Sequence, residues 1–242
     1  MHSAMTKKNH LLWALAALFA SCNVYHPQVV DIPLLHEQGQ IQTQVSASCT
    51  EASILSPAAN ATVSVAITDH IGIQAFGDVS SSSHYYGHLA GGYFTSLTDH
   101  MVLEAYLGIG AGHGHINGSR VAGTHTNRDG LTTNFTEEFL QLNWGMVNVA
   151  NTTFDFGVGV RGGMLDNDTD ECCYYEHYEE DPDRSYHERH LFAEPQVMVR
   201  YGWDRFRFSV QCAYGFLQDE EGVTRHFPVH RFSVSSGISY RF

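Results

Sequence analysis

Arg205-Phe-Arg-Phe-Ser-Val-Gln-Cys212 sorts its side chains by parity. Phe206, Phe208, Val210 and Cys212 are apolar, and Arg205, Arg207, Ser209 and Gln211 are polar. Successive side chains of a strand point to opposite sides, so this stretch reads as a strand with one oily and one polar face. The same period of two runs along the chain on both sides of it. Phe154, Phe156, Val158 and Val160 oppose Asp155, Gly157, Gly159 and Arg161. Leu103, Ala105, Leu107 and Ile109 oppose Glu104, Tyr106, Gly108 and Gly110. In the last run Phe232, Val234, Ile238, Tyr240 and Phe242 oppose Ser233, Ser235, Gly237, Ser239 and Arg241.

Ten strands are expected, near 40–48, 59–67, 71–80, 85–96, 101–113, 134–148, 153–164, 189–201, 205–216 and 229–242. Most match the length of about 9–11 residues that a tilted strand needs to cross a membrane. No helical period of useful length interrupts them. The connections alternate in length. Thr68-Asp69-His70, Leu97 to His100, Asn148 to Thr152 and Gly202 to Asp204 are short, whereas 114–133, 165–188 and 217–228 are long. The expected fold is all-β: an antiparallel up-and-down transmembrane β-barrel of ten strands over 40–242, with eight as the smaller alternative. An even count puts both chain ends on the short-turn, periplasmic side.

Alternation alone does not say which face turns inward. A soluble barrel encloses a ligand with its apolar face, and a membrane barrel reverses this. The charge distribution favours the reversal. Lys7 and Lys8 are the only lysines, so the strands have none, although a water-facing surface ordinarily relies on Lys. The polar face is rich in Gly, Ser, Gln and Asn and carries both signs: Glu104, Asp155, Arg161, Glu194, Arg200, Arg205, Arg207 and Arg241. These eight are expected to form a charge network across a narrow lumen, where unpaired charges are costly. Tyr201, Trp203, Tyr240 and Phe242 lie near the short-turn end, where an aromatic girdle belongs.

The first residues have the layout of an export signal: Lys7-Lys8, an apolar run from Leu11 to Ala20, then Ala20-Ser21 before Cys22. Ten apolar residues are too few to span a hydrocarbon core, which takes about twenty. Residues 1–21 are therefore expected to be a signal peptide. Residues 22–39, with Pro27, Pro33 and Gly39 and little periodicity, are expected to be a periplasmic tether.

Other chemistry is sparse. Asp166, Asp168 and Asp170 alternate as calcium-loop oxygens do, but the glycine and the closing Glu of an EF-hand are missing. They open a segment, 166–188, with ten carboxylates, a candidate surface for a divalent cation or a basic protein partner. Cys172-Cys173 lacks zinc-site spacing, so a disulfide from either to Cys49, or a free thiol, is the alternative in an oxidising compartment. His113, His115 and His125 with Ser119 suggest a hydrolase, yet no third orienting group can be assigned, so no catalytic residue is named and no cofactor is expected. With 26 acidic against 13 basic residues there is no basic stripe for nucleic acid.

Two short motifs carry resemblances. Leu18-Phe19-Ala20-Ser21-Cys22 resembles the lipobox of bacterial lipoproteins, which implies acylation of Cys22; Phe19 departs from the usual small or aliphatic residue. Tyr240-Arg241-Phe242 resembles the C-terminal signature of outer-membrane barrels, with the terminal Phe on the lipid face. Over 40–242 the chain resembles the small outer-membrane β-barrel proteins of Gram-negative bacteria. Val24-Tyr25-His26-Pro27 with Ile32-Pro33-Leu34-Leu35 is similar to Bacteroidetes-type barrels. The resemblance implies an outer-membrane location with lipid as the main partner, and a structural or surface-interaction role. An outer-membrane enzyme acting on lipid, or the anchor of a secretion or assembly complex, are the alternatives; the oligomeric state stays open.

Overall fold

The computed structural model describes residues 25–50, 58–80, 84–117, 128–149, 152–173, 184–218 and 231–242, with the backbone alone for 116–117, 128–130, 171–173 and 184. The signal segment and Cys22, together with Ser119 and His125, lie outside the described residues.

Eleven strand segments follow one another: β1 (Ile41–Thr50), β2 (Ala58–Ala66), β3 (Ile71–Ser80), β4 (Tyr85–Ser96), β5 (Met101–Asn117), β6 (Arg128–Met146), β7 (Phe154–Cys173), β8 (Arg184–Gly202), β9 (Phe206–Tyr214), β10 (Phe216–Gln218) and β11 (Phe232–Arg241). β9 and β10 are one wall strand interrupted at Gly215, since both pair with β8. Each strand pairs antiparallel with the next, and β1 pairs with β11, with Val45 opposite Ile238. The wall is thus a closed ten-stranded barrel in which no edge is left open.

Burial follows the parity read from the sequence. Leu107, Ile109, Leu89, Val45 and Phe208 stand exposed on the outer face. Gln42, Gln44, Ser46, Asn60, Gln74, Gln141 and Gln211 are buried on the inner one. In a water-soluble protein that assignment would be inverted; with hydrocarbon outside, the apolar residues lose nothing by facing out. Leu97, Tyr201, Trp203 and Phe242 are likewise exposed at or beside the short-turn end.

The wall is uneven in height. β1 to β4 have 9 to 12 residues, whereas β5, β6, β7 and β8 have 17, 19, 20 and 19. Much of what the sequence suggested were long loops, 114–133 and 165–188, is therefore strand. Asp170 pairs with Ser185 and Thr132, and His115 with Thr132. Apart from a few inward residues such as Leu131 and Leu165, these extensions are polar on both faces, so no alternation of hydropathy marks them.

The second difference is the N-terminal segment. Residues 22–39 were expected to hang below the barrel as a tether; from Tyr25 onward the chain instead runs through the lumen. Val30, Ile32, Leu34 and Leu35 are almost wholly buried. At the short-turn end Gly39 donates its N–H to Ala66 O at 2.9 Å, and Gln38 reaches Ile67 O. At the other end Tyr25 meets Phe135 edge-on, at 5.5 Å between ring centres. The physical reason is plain in hindsight. Five aliphatic side chains, Val29, Val30, Ile32, Leu34 and Leu35, gain more by leaving water than a free tether would allow. Wall glycines make room for them. A Cβ on Gly145 would fall 2.6 Å from Leu34 Cδ2, and one on Gly72 would fall 2.8 Å from Leu35 Cδ1.

Candidate functional site

The site is the filled lumen, where plug and wall share three groups of polar side chains. Near the long-loop end Arg161 on β7 lies between two carboxylates. Its Nη2 is 2.6 Å from Glu194 Oε2, and its Nη1 is 3.4 Å from Glu137 Oε2. Two phenols complete the group: Tyr25 donates to Glu194 at 2.7 Å, and Tyr86 donates to Glu137 at 2.7 Å. Two negative charges are thus answered by one guanidinium and two hydroxyl donors. The guanidinium also sits 5.0 Å from the centre of the Phe139 ring and 5.4 Å from that of Phe192.

Halfway down, Glu104 on β5 holds the plug by its backbone. Its Oε1 accepts the Leu35 N–H at 2.8 Å, and its Oε2 accepts Asn143 Nδ2 at 3.0 Å. Leu34, next to that contact, has φ of +54°, a left-handed conformation that costs a β-carbon-bearing residue free energy and persists only where the surroundings hold it.

Near the short turns Asp31 and Asp155 are surrounded by Arg200, Arg207 and Arg241. Arg200 forms an ion pair with Asp31 and donates to Ile32 O. Asp155 pairs with Arg207, and lies 3.8 Å from Arg200 and 3.5 Å from Arg241. Gln211 donates to Asp31 at 3.1 Å, and the Asn148 backbone N–H donates to Asp155 at 3.0 Å. No space for a water-sized molecule is left among Gln42, Asp155, Arg200, Arg205, Arg207 and Arg241.

Of the eight charges expected to form a lumen network, the structure brings Glu104, Asp155, Arg161, Glu194, Arg200, Arg207 and Arg241 to the inner side. Arg205 stands in the turn between β8 and β9, one residue short of the strand; it is exposed, yet it lines the same crevice as Asp155, Arg200, Arg207 and Arg241. Sequence reasoning missed Asp31, which lay in the supposed tether, and Glu137, whose neighbour Glu138 is exposed on the opposite face. Strict alternation through Phe135, Glu137 and Phe139 is the signal that finds Glu137.

Asp166, Asp168 and Asp170 alternate on the outer face of β7, above the apolar band, so they line up along a strand and do not encircle a point. Each faces a partner across β8: Asp166 takes a 2.5 Å hydrogen bond from Arg189 Nε, Asp168 lies 2.8 Å from His187 Nδ1, and Asp170 accepts from Ser185 at 2.6 Å. The Arg189 hydrogen bond holds the Asp166 carboxyl below the usual carboxylate range. The same outer rows hold His113, 2.9 Å from Asn134 Oδ1, and His115, 2.9 Å from Thr132 Oγ1. Ser119, the hydroxyl suggested as their partner, lies outside the described residues. Cys49 is a free thiol on β1, and three wall strands separate β1 from β7, which carries the backbone of Cys172 and Cys173. The suggested Cys49 bridge is therefore absent, because a disulfide needs Cα atoms within about 7 Å.

No family model matches the chain, and no curated protein does. Solved structures do. The outer membrane protease OmpT from Escherichia coli superposes with a TM-score of 0.57 at 11% identity, over 84% of this chain and 94% of that one. The KdgM porin matches at 0.40 and 11%, over 83% and 99%. The translocator domain of the autotransporter NalP from Neisseria meningitidis matches at 0.45 and 14%, over 99% and 98%. The fold is that of the outer-membrane β-barrel proteins of Gram-negative bacteria. At such identity the likeness extends to the fold and no further.

Proposed function

We propose that this protein is a closed barrel of the outer membrane that keeps its own N-terminal segment as a plug and presents the tall β5–β8 wall at the cell surface. The observation that carries this reading is the buried Arg200–Asp31 pair, which joins wall to plug where a conducting barrel would have water. Lipid is the partner of the outer band. Above that band, the outward carboxylates Asp166, Asp168 and Asp170 offer a surface to a basic protein or to the divalent cations that bridge lipopolysaccharide phosphates. The role is structural and interactive, and it leaves the lumen closed to free diffusion of solutes.

The absence of lysine beyond Lys8 supplies a clean test. Asp170→Lys and Asp69→Lys each place a single reactive amine, one on the tall wall and one in the turn between β2 and β3. A membrane-impermeant amine reagent on intact cells should label Asp170→Lys, and should label Asp69→Lys only after lysis. The opposite pattern would reverse the orientation and remove the surface role.

A further inference from the structure

A fourth polar cluster lies apart from the three that hold charge. Asp78 points inward from β3, His84 stands at the start of the β4 side of the same hairpin, and His26 comes from the plug. His84 Nδ1 is 3.3 Å from Asp78 Oδ1, and His26 Nε2 is 3.9 Å from the same oxygen. The two imidazole rings are 4.6 Å apart, and one donor atom from each of the three residues lies within 4.8 Å of the others. Asp78 is 1% exposed and His84 7%.

Hydrogen bonding does not explain the arrangement. Asp78 Oδ1 accepts no hydrogen bond, and neither ring nitrogen of His84 makes one, because their 3.3 Å approach is badly aligned. Other lumen atoms share that state, but among the described residues this is where a carboxylate and two imidazoles lie within reach of one point, and an ion satisfies several such atoms at once.

We propose that His26, Asp78 and His84 bind a divalent transition-metal ion of the zinc type, which ties the plug to the barrel wall. Two imidazole nitrogens and one carboxylate oxygen are the donor set that such ions favour, with a fourth position open to water. Bonds of about 2.0–2.2 Å put tetrahedral ligand atoms about 3.3–3.5 Å apart; the His84–Asp78 separation already matches, and the His26 ring, 3.9 Å from Asp78 Oδ1, moves inward as the ion binds. A hard ion such as calcium takes six or more oxygens, and this cluster has one carboxylate. The outer contacts suit the role. With its amide nitrogen turned toward Asp78, Asn60 donates to Oδ2 at 3.1 Å, which leaves Oδ1 for the ion. His26 Nδ1 lies 3.4 Å from Pro27 O, which turns Nε2 toward Asp78. The Phe135 ring packs nearly parallel to His84 and shields one side. One ligand sits on the plug and two on the wall, so binding the ion closes the plug against β3 and β4.

The test uses the full chain, refolded in detergent, stripped of metal and equilibrated with zinc chloride. Bound zinc is counted after gel filtration, and folded barrel is scored by its heat-modifiable mobility. Surface histidines also take zinc, so the readout is a difference. His84→Ala and His26→Ala should each retain one equivalent fewer than the unaltered protein, while His187→Ala, on the outer wall, should keep the tight equivalent. Cobalt(II) should give a visible tetrahedral band in the unaltered protein that both lumen variants lose. The His26 substitution changes only the plug, so it decides the matter if His84→Ala does not fold. Equal zinc counts in the unaltered and His26→Ala proteins, or no tight equivalent at all, would overturn the proposal.

Discussion

Asp31 on the plug and Arg200 on β8 form an ion pair in which neither side chain reaches water. The pair links residues 169 positions apart, and it corrects a charge imbalance in the wall. Without Asp31, Asp155 alone would face Arg200, Arg207 and Arg241. The plug is therefore part of the electrostatic design of the lumen as well as its filling.

Asp31→Ala should destabilise the barrel by about 3–5 kcal/mol, the usual cost of removing one partner of a buried pair. Urea unfolding in lipid vesicles measures it. Asp31→Leu combined with Arg200→Met should recover most of the loss, because the uncompensated guanidinium goes with its partner. If the single variant is as stable as the unaltered chain, the pair is not buried as described.

Arg161→Met removes the one guanidinium between Glu137 and Glu194. Two buried carboxylates would then face each other with only phenol donors, and a loss of about 3–5 kcal/mol is expected. Replacing both acids with Gln in the same chain should restore part of it. Unfolding midpoints at neutral pH separate the two outcomes.

Packing of the plug can be tested without touching charge. Gly145→Leu drives a side chain into Leu34 and toward Phe156 O, where even a Cβ would be 2.7 Å away. Overpacking of this kind costs about 1–3 kcal/mol. The plug should yield before the sheet does, so protease should reach residues 25–35 in the folded barrel. At Gly77 a Cβ meets nothing within 4 Å, and Gly77→Ala should change stability by less than about 0.5 kcal/mol.

The outer face makes its own prediction. Leu107→Arg puts a charge in the apolar band, at a side chain 69% exposed to what surrounds the barrel. If that is hydrocarbon, the cost is about 2–4 kcal/mol, and Asp168→Arg, above the band, should cost close to nothing. Equal small effects at both positions would mean that water surrounds the wall.

The wall was legible in the sequence because lipid outside and polar groups inside give most membrane-crossing strands the same two-residue period. Phe206 to Cys212 and Phe154 to Val160 obey it throughout. The plug was not legible, since apart from a bridge at Tyr25 residues 25–35 form no strand and so carry no period. Pro27 and Pro33 made it look like a linker, and only the density of aliphatic side chains around Asp31 argued otherwise. The extensions of β6 and β7 were hidden for a different reason. In Asp166-Asn-Asp-Thr-Asp170 one face meets solvent and the other meets Thr133 and the lumen, so both are polar. Arg205 sits where strand becomes turn, so it is exposed while still lining the crevice of the Asp155 group that parity assigns it to.

The central claim is that residues 25–35 close the lumen, and single-barrel conductance in planar bilayers tests it most directly. The full chain should insert without steady current, and a chain lacking residues 23–38 should open a stable conductance of the size a ten-stranded barrel permits. A steady open channel from the intact chain, unchanged when those residues are removed, would contradict the account.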